Sequence, residues 1–224
     1  MAEFFFAQLR AHMSALDLLP EDNASYATQE YWESRYIQEQ EDATFDWFKG
    51  FDELREPLEQ VLSNRSGRIL HLGCGNSRLG EDMHRAGWTD IVNVDFSPKV
   101  IETMATRCAG LDGLHWLVAD VFKLDEVFDA ETFDYAIDKG TLDALLTRKH
   151  DPWNPPADLC AEIERYMAQV ARCLRRGGVF LHITFAQPHF RRRFVETAGL
   201  QIETRVLTGK DGGFEYFAYV CVKQ

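Results

Sequence analysis

Two glycines and one acid have the types and the spacing of a nucleoside-binding site. Residues 69–72 read Ile-Leu-His-Leu and run directly into Gly73 and Gly75, as a buried parallel strand does when it ends in a tight turn. Without a Cβ, these glycines can take positive φ angles and let the backbone approach a ligand closely. Asp95 ends a second apolar stretch, and a carboxylate at this separation can accept both hydroxyls of a ribose. The pattern predicts an adenosine-type ligand.

The same loop bears on whether that ligand carries a pyrophosphate. A dinucleotide-binding loop has a further glycine three residues after the second one, where the helix packs on the strand. Here that position is Arg78, and the next glycine, Gly80, comes two residues late. The loop therefore disfavours NAD and favours a phosphate-free adenosine cofactor, of which S-adenosylmethionine (SAM) is the common one.

The segments that would position these residues alternate between strand and helix. From about residue 67, apolar strand-like stretches are separated by helical ones. The last two strands, predicted at 201–207 and 214–222, are joined by a turn-rich connection that leaves no room for a crossover helix. We therefore predict a doubly wound, mostly parallel α/β sheet of seven strands that ends in an antiparallel hairpin.

The first part of the chain has a helical pattern. Helices are predicted at 3–18, 28–38 and 51–62, and apolar residues recur along one face of the first of them. These helices would precede the sheet and pack on it. We therefore predict an N-terminal helical extension or lid at residues 1–66 and a SAM-binding core at residues 67–224.

Composition and charge argue against several classes of protein. The 224 residues carry a formal net charge of −12, which repels nucleic acid and anionic lipid. No apolar run approaches the ~20 residues that span a membrane. The five cysteines are scattered without C-x-x-C spacing, so neither a metal site nor a disulfide framework is expected. We expect a reduced, cytoplasmic protein that binds neither nucleic acid nor membrane, and we favour a monomer.

Taken in order, these motifs resemble those of the class I, seven-strand, SAM-dependent methyltransferases. The glycine loop, Asp95, Asp120 and the turn at 175–180 stand in the order found in that family. The resemblance covers about residues 67–224, and it depends on the set of motifs, because each motif alone is degenerate.

A narrower resemblance extends over nearly the whole chain after about residue 26. It is carried by EYWESRY at 30–36, FDWF at 45–48, LGCGNS at 72–77 and DKGTLDALL at 138–146. These stretches resemble the methyltransferases that modify lysines of translation elongation factor 1A, closest to the lysine methyltransferase 4 type. The resemblance implies SAM as cofactor, S-adenosylhomocysteine as product and elongation factor 1A as protein substrate.

Carried over position by position, the resemblance also implies a cofactor site. It places Gly73 and Gly75 at the methionine part of SAM and Asp95 at the ribose. Around the adenine it places Phe96, Asp120 and Val121. It also places Trp32, Tyr36 and Trp47 over the cofactor, and Lys139 near the methionine end. Physical chemistry agrees in part, because SAM is a sulfonium cation and aromatic faces attract cations by about 0.5–2 kcal/mol. Two aromatic residues four apart on a helix are also typical of core packing.

Asp138 is the candidate for orienting the substrate amine and accepting its proton. A free lysine amine has a pKa of about 10.4, so its neutral, nucleophilic form is scarce at neutral pH. An ionised Asp138 would attract the lysine, yet it would also stabilise the lysine cation. Two alternatives therefore remain for this acid, a SAM ligand or a cap for the helix that starts near Gly140.

The function that these observations predict is SAM-dependent protein-lysine N-methylation, with elongation factor 1A as the substrate. A small-molecule methyltransferase with the same aromatic lid is the first alternative. A SAM-binding partner protein without enzymatic activity is the second. An NAD-dependent oxidoreductase is the third, and it is weak because of Arg78 and the closing hairpin.

Overall fold

The computed structural model describes residues 18–40, 42–196, 199–207 and 215–224. The α-helices in these ranges are α1 Gln29–Gln38, α2 Phe51–Val61, α3 Leu79–Arg85, α4 Pro98–Arg107, α5 Thr141–Leu145, α6 Ala157–Cys173 and α7 Pro188–Val195, and two short 3-10 helices span Asn23–Ala27 and Leu124–Glu126. The strands are β1 Ile69–Leu72, β2 Ile91–Asp95, β3 Leu114–Val118, β4 Phe133–Lys139, β5 Leu174–Thr184, β6 Leu200–Leu207 and β7 Tyr216–Lys223. The helix predicted at 3–18 lies outside the described residues.

The seven strands form one mixed sheet in the order β3-β2-β1-β4-β5-β7-β6. The five strands from β3 to β5 pair in parallel. Strand β7 runs antiparallel to both of its neighbours, β5 and β6. The predicted doubly wound sheet with a terminal antiparallel hairpin is therefore confirmed.

Helices cover both faces of the sheet, which explains why the central strands are almost continuously apolar. Leu70 and Leu72 of β1 face one core together with α6, whereas Ile69 faces the other core together with α2. In α2, Leu54 and Leu58 are completely buried, so this helix is part of the core rather than a loose cover. The predicted division into 1–66 and 67–224 stays a prediction.

Local sequence explains where several helices begin. Ser97 accepts a hydrogen bond from the Val100 N–H, and Pro98 occupies the first turn of α4, as the Ser-Pro pair predicts. Thr28 caps α1 in the same way through the Tyr31 N–H. Within the described ranges, none of the helices has the length and apolarity needed to cross a bilayer.

The apolar stretches at 133–137 and 179–184 predict strands, and the structure changes one boundary of each, the first of which affects the site. Strand β4 continues past Ile137 through Lys139, because both added residues pair with β5. Strand β5 starts at Leu174, earlier than predicted, although the pairing shifts between Leu174 and Val179, where Gly177 has a φ of +75°. The extension of β4 places Asp138 and Lys139 in the sheet, at the edge that borders the predicted site.

Candidate cofactor and acceptor site

A cavity of about 570 Å³ lies at the C-terminal ends of β1 to β4, under the segment that precedes α2. This volume falls in the range of small-molecule sites. The ten residues predicted to bind a cofactor all lie in its wall: Trp32, Tyr36, Trp47, Gly73, Gly75, Asp95, Phe96, Asp120, Val121 and Lys139. The structure thus brings these residues together, while their binding of a ligand stays a prediction.

The glycine loop lines the floor of the cavity with bare backbone. Gly73 and Gly75 have φ angles of +55° and +51°, which residues with a Cβ rarely adopt. A Cβ on Gly73 would lie 2.1 Å from Thr141 Oγ1, and one on Gly75 would lie 2.7 Å from Tyr36 Oη. Gly80 packs its backbone on Asn93, since a Cβ there would be 2.4 Å from Asn93 Oδ1. Gly80, two residues later than the third glycine of a dinucleotide-binding loop, therefore provides the close packing of α3 on β2.

Asp95 ends β2 as a buried carboxylate at the edge of the cavity. It accepts hydrogen bonds from the Gly75 N–H at 2.9 Å and the Ser97 N–H at 3.0 Å. A carboxylate has about four lone-pair sites, so two acceptor sites remain for a ligand. Burial raises the pKa of Asp95 to about 6, against the lowering effect of these two N–H donors. Two ligand hydroxyls would supply the hydrogen bonds that the charged form needs.

The nucleobase side of the cavity follows β2 and β3. Asp120 Oδ1 accepts the Phe122 N–H at 2.9 Å, so the Asp120 carboxylate is oriented by its own turn. The Phe96 carbonyl accepts a hydrogen bond from Gln29 Nε2 at 2.9 Å, which ties α1 to the end of β2. Gln29 lines the cavity as well. Sequence reasoning missed Gln29, because glutamine at a helix start has no distinctive pattern.

Aromatic side chains form the cover of the cavity. The rings of Trp32 and Tyr36 stack with centroids 5.7 Å apart, and Tyr26 packs 5.7 Å from Trp32 and 5.6 Å from Trp47. Trp32 Nε1 donates to the Tyr26 carbonyl at 2.7 Å. These residues thus pack on one another and also face the cavity. The i, i+4 aromatic pair therefore packs within the fold and lines the cavity, while its contact with a cofactor stays a prediction.

Lys139 fastens this cover to the sheet. Its Nζ donates to Asp46 Oδ1 and to the Trp47 carbonyl, each at 3.0 Å, and Asp46 also accepts from Ser77 Oγ of the glycine loop. Burial lowers the pKa of Lys139, and Asp46 opposes this shift. Burial would raise the pKa of Asp46, but Lys139 and Ser77 hold it below its ordinary value. The ion pair of Lys139 with Asp46 positions Trp47 over the cavity.

His71 is a cavity residue that sequence reasoning did not single out. Its Nδ1 lies 2.9 Å from Asn93 Oδ1, and the Asn93 Nδ2 donates to the His115 carbonyl at 3.2 Å, which fixes the orientation of the amide. Nδ1 must then carry the hydrogen, and Nε2 has a lone pair. Burial lowers the pKa of His71 to about 4, so this ring is neutral at neutral pH.

Asp138 lies behind the wall of the cavity rather than in it. Its side chain is completely buried. Oδ2 accepts from the Leu142 N–H at 2.9 Å and from Tyr166 Oη at 2.6 Å, and His182 Nδ1 lies 3.2 Å from Oδ1. Burial would raise the pKa of Asp138, but these three partners hold it below its ordinary value. The catalytic role of Asp138 stays a prediction, and this geometry favours the alternative of a cap for α5.

The run of arginines at the start of α7 is paired within the protein. Arg191 Nη2 donates to Asp143 Oδ1 at 2.6 Å in a buried ion pair. Arg192 pairs with Glu196, and Arg193 donates to the Trp153 carbonyl at 3.0 Å. The run therefore serves the packing of α7 on α5 and on the 151–156 loop.

A glycine turn after β1, an acid after β2 and a sheet closed by an antiparallel strand together define a class I methyltransferase domain. A family model described as a methyltransferase domain matches residues 63–206. A solved SAM-dependent methyltransferase from Methanosarcina mazei superposes with a TM-score of 0.54 at 18% identity, over 80% of this chain and 99% of that one.

The similarity to curated proteins is more specific. EEF1A lysine methyltransferase 4 from Mus musculus is 36% identical over 205 residues, which cover 92% of this chain and 79% of that protein. The Homo sapiens eEF1A lysine and N-terminal methyltransferase is 33% identical over 184 residues, which cover 80% of this chain and 24% of that protein. The chain belongs to the EEF1A lysine methyltransferase 4 family, within the SAM-dependent methyltransferases.

Proposed function

We propose that this enzyme transfers methyl groups from SAM to lysine side chains of translation elongation factor 1A. The observation that carries the proposal is the identity of 36% with a named lysine methyltransferase across 92% of this chain. The cavity supports it, since its wall holds the bare backbone, the acid and the aromatic cover that SAM requires. We also propose that the protein is cytoplasmic and monomeric.

The residues of the cavity fit SAM part by part. At Gly73 and Gly75 a Cβ would collide with Thr141 and Tyr36 of the same wall, so the loop presents bare backbone to the cavity. Asp95 has acceptor sites for two ribose hydroxyls, and Asp120 lies on the adenine side. The faces of Trp32, Tyr36 and Trp47 suit a sulfonium cation. When bound, SAM supplies an activated methyl group, so the protein mainly has to position the reactants.

The acceptor amine must reach the methyl group in its neutral form. Transfer of a lysine from water into a partly buried site lowers its pKa, and neighbouring positive charge lowers it further. Lys139 supplies such a charge, although Asp46 balances it at 3.0 Å. Within the described residues, the carboxylates in the cavity wall are those of Asp95, Asp120 and Glu126, which lie at or after the ends of β2 and β3, on the nucleobase side. We therefore propose that the amine loses its proton to water.

Asp138 then acts by holding the start of α5 in place. We expect Asp138→Asn to retain methyl transfer within about tenfold of wild type, because an amide oxygen can still accept the Leu142 N–H. Asp138→Ala leaves Tyr166 and His182 without their acceptor and should lower the free energy of unfolding by about 2–3 kcal/mol. Urea unfolding and single-turnover rates at saturating SAM measure both effects.

Tyr166→Phe is the matched control for Asp138, since it removes one donor and leaves the carboxylate. It should reduce stability slightly and leave the transfer rate unchanged. If Asp138→Asn instead folds normally, binds SAM normally and loses more than a thousandfold in rate, Asp138 is the proton acceptor after all.

The affinity for SAM should fall as the pH falls through about 6. The pKa of Asp95 in the free protein is about 6, and only the ionised carboxylate can accept both ribose hydroxyls. The dissociation constant should then rise by up to about tenfold for each pH unit below 6. His71 has a pKa of about 4 and contributes nothing in this range. Calorimetric titration with SAM at about pH 5, 6 and 7 tests the prediction.

The stability of the free protein should respond to Asp95 in the opposite direction. The folded-state pKa lies above the unfolded value, so the folded state binds the proton more tightly between about pH 4 and 6. The contribution of Asp95 to stability is therefore lost as the pH rises through this window. Asp112→Asn is a matched control at an exposed acid. An equal affinity for SAM at pH 5 and pH 7 would contradict the role given to Asp95.

The function itself is tested by transfer of label from tritiated SAM to purified elongation factor 1A. We expect labelled lysine in the intact protein, located by peptide mass spectrometry, and no label with the Asp95→Ala enzyme. Labelling of metabolites in an extract, with none in any protein, would instead indicate a small-molecule methyltransferase. Binding of SAM without transfer to either class would indicate a SAM-binding partner protein.

A further inference from the structure

Three aromatic rings form a row that leads from the cavity to the surface. The first, Trp47, lines the cavity. The ring of Phe48 is next, with its centroid 6.5 Å from that of Trp47, and the ring of Phe185 follows 5.5 Å from that of Phe48. Phe185 is 48% exposed, directly after the end of β5. The row therefore connects the interior of the site with solvent.

The middle of this row has an unusual backbone. Phe48 has a φ of +67°, and the Lys49 N–H donates to the Trp47 carbonyl at 2.9 Å across it. This is a γ-turn of the rare, strained kind. The Lys139 Nζ binds the same carbonyl at 3.0 Å, which holds the turn against the sheet. Strain of this kind persists only where its surroundings fix it, which is typical of functional sites.

The row lies directly against the end of β4. Gly140, which follows β4, has a φ of +96°, and a Cβ on it would lie 3.6 Å from Trp47 Cβ and 3.7 Å from Phe48 Cε2. Gly140 also lines the cavity. Bare backbone thus faces the aromatic rings at the inner end of the row. A slender, unbranched side chain can lie along such a surface.

We propose that this aromatic row, Trp47, Phe48 and Phe185, is the path along which the substrate lysine enters. The inference rests on the proposed function and names how its substrate is recognised. A lysine has an apolar stem that packs on rings and a cationic head that ring faces attract. Methylated lysines keep the charge and gain apolar surface, so the row accepts mono- and dimethyl-lysine for further rounds of transfer.

The test compares Phe185→Leu with Phe185→Tyr in the full-length enzyme, using purified elongation factor 1A and SAM. Phe185 is half exposed, so these changes leave the fold intact. Leucine keeps an apolar side chain and loses the aromatic face, and it should raise KM for the protein substrate about fivefold. Tyrosine keeps the face and should restore KM. The calorimetric Kd for SAM should be unchanged in both variants, and Leu117→Ala, at an exposed site on edge strand β3, should match wild type.

Three results would overturn the inference. If Phe185→Leu has the KM of wild type, the Phe185 ring does not take part in recognition of the protein substrate, while the proposed function stands. A Phe185→Tyr enzyme as impaired as Phe185→Leu shows that the aromatic face is not what matters. A loss of SAM affinity in Phe185→Leu assigns the ring to the cofactor site instead. If wild type labels no lysine at all, the proposed function fails first, and this inference fails with it.

Discussion

Gly73→Ala should lose SAM binding by at least about a hundredfold and lower the free energy of unfolding by about 2–5 kcal/mol. Two physical effects add at this position. The φ of +55° disfavours any residue with a Cβ, and the new methyl group would lie 2.1 Å from Thr141 Oγ1. Thr141 cannot move freely, because its hydroxyl donates to the Leu72 carbonyl at 3.0 Å. Calorimetry with SAM and urea unfolding measure the two losses.

Gly87→Ala separates backbone strain from the steric clash. Gly87 also has a positive φ, +103°, but nothing lies within 4 Å of the place where its Cβ would be. We expect a loss of about 1–2 kcal/mol in stability and no change in SAM affinity. If Gly73→Ala behaves like Gly87→Ala in both measurements, the packing of the Gly73 backbone against Thr141 does not matter for SAM binding or for stability.

Arg191→Ala should destabilise the protein by about 3–5 kcal/mol, although Arg191 does not line the cavity. Its ion pair with Asp143 is buried, with 5% and 11% of the two side chains exposed and 2.6 Å between the charged atoms. Removing Arg191 leaves the Asp143 carboxylate with the Thr184 hydroxyl, which approaches to 2.6 Å, as its side-chain donor. An unpaired charge in this position costs far more than the lost contact alone.

Arg192→Ala is the matched control, one residue away on the same helix. Its pair with Glu196 is about half exposed, so its loss should cost less than about 1 kcal/mol. The double change Asp143→Leu with Arg191→Met should recover most of the stability, because it removes both charges. Equal midpoints of urea unfolding for Arg191→Ala and Arg192→Ala would falsify the assignment of a buried structural pair.

The sheet and the cofactor half of the site could be predicted from the sequence because their signals are local. A strand, a glycine turn and the next strand's terminal acid lie within about thirty residues, and the parallel register brings their ends to one edge. Leu72 pairs with Val94 on one side and with Asp138 on the other. Gly73, Gly75 and Asp95 therefore had to converge once the strands were correct.

The acceptor side could not be predicted in the same way, because long-range contacts decide it. Lys139 reaches Asp46 over 93 positions in sequence, and Asp143 reaches Arg191 over 48. No pattern around Asp138 indicates that its carboxylate turns away from the cavity towards Tyr166 on α6. The neutral state of His71 likewise depends on an asparagine of the neighbouring strand.

The antiparallel strand β7 has a consequence for the order in which the protein folds. It lies between β5 and β6, and among the strands that the structure describes β6 pairs with β7 alone. A nascent chain that has emerged as far as Leu207 already holds every strand of the nucleoside-binding half, yet its β6 has nothing to pair with and one edge of β5 is open. Exposed edges of this kind invite pairing with other chains. During synthesis, the part of the sheet from β3 to β4 can form early, whereas the part from β5 to β6 is vulnerable to misassembly until β7 is inserted.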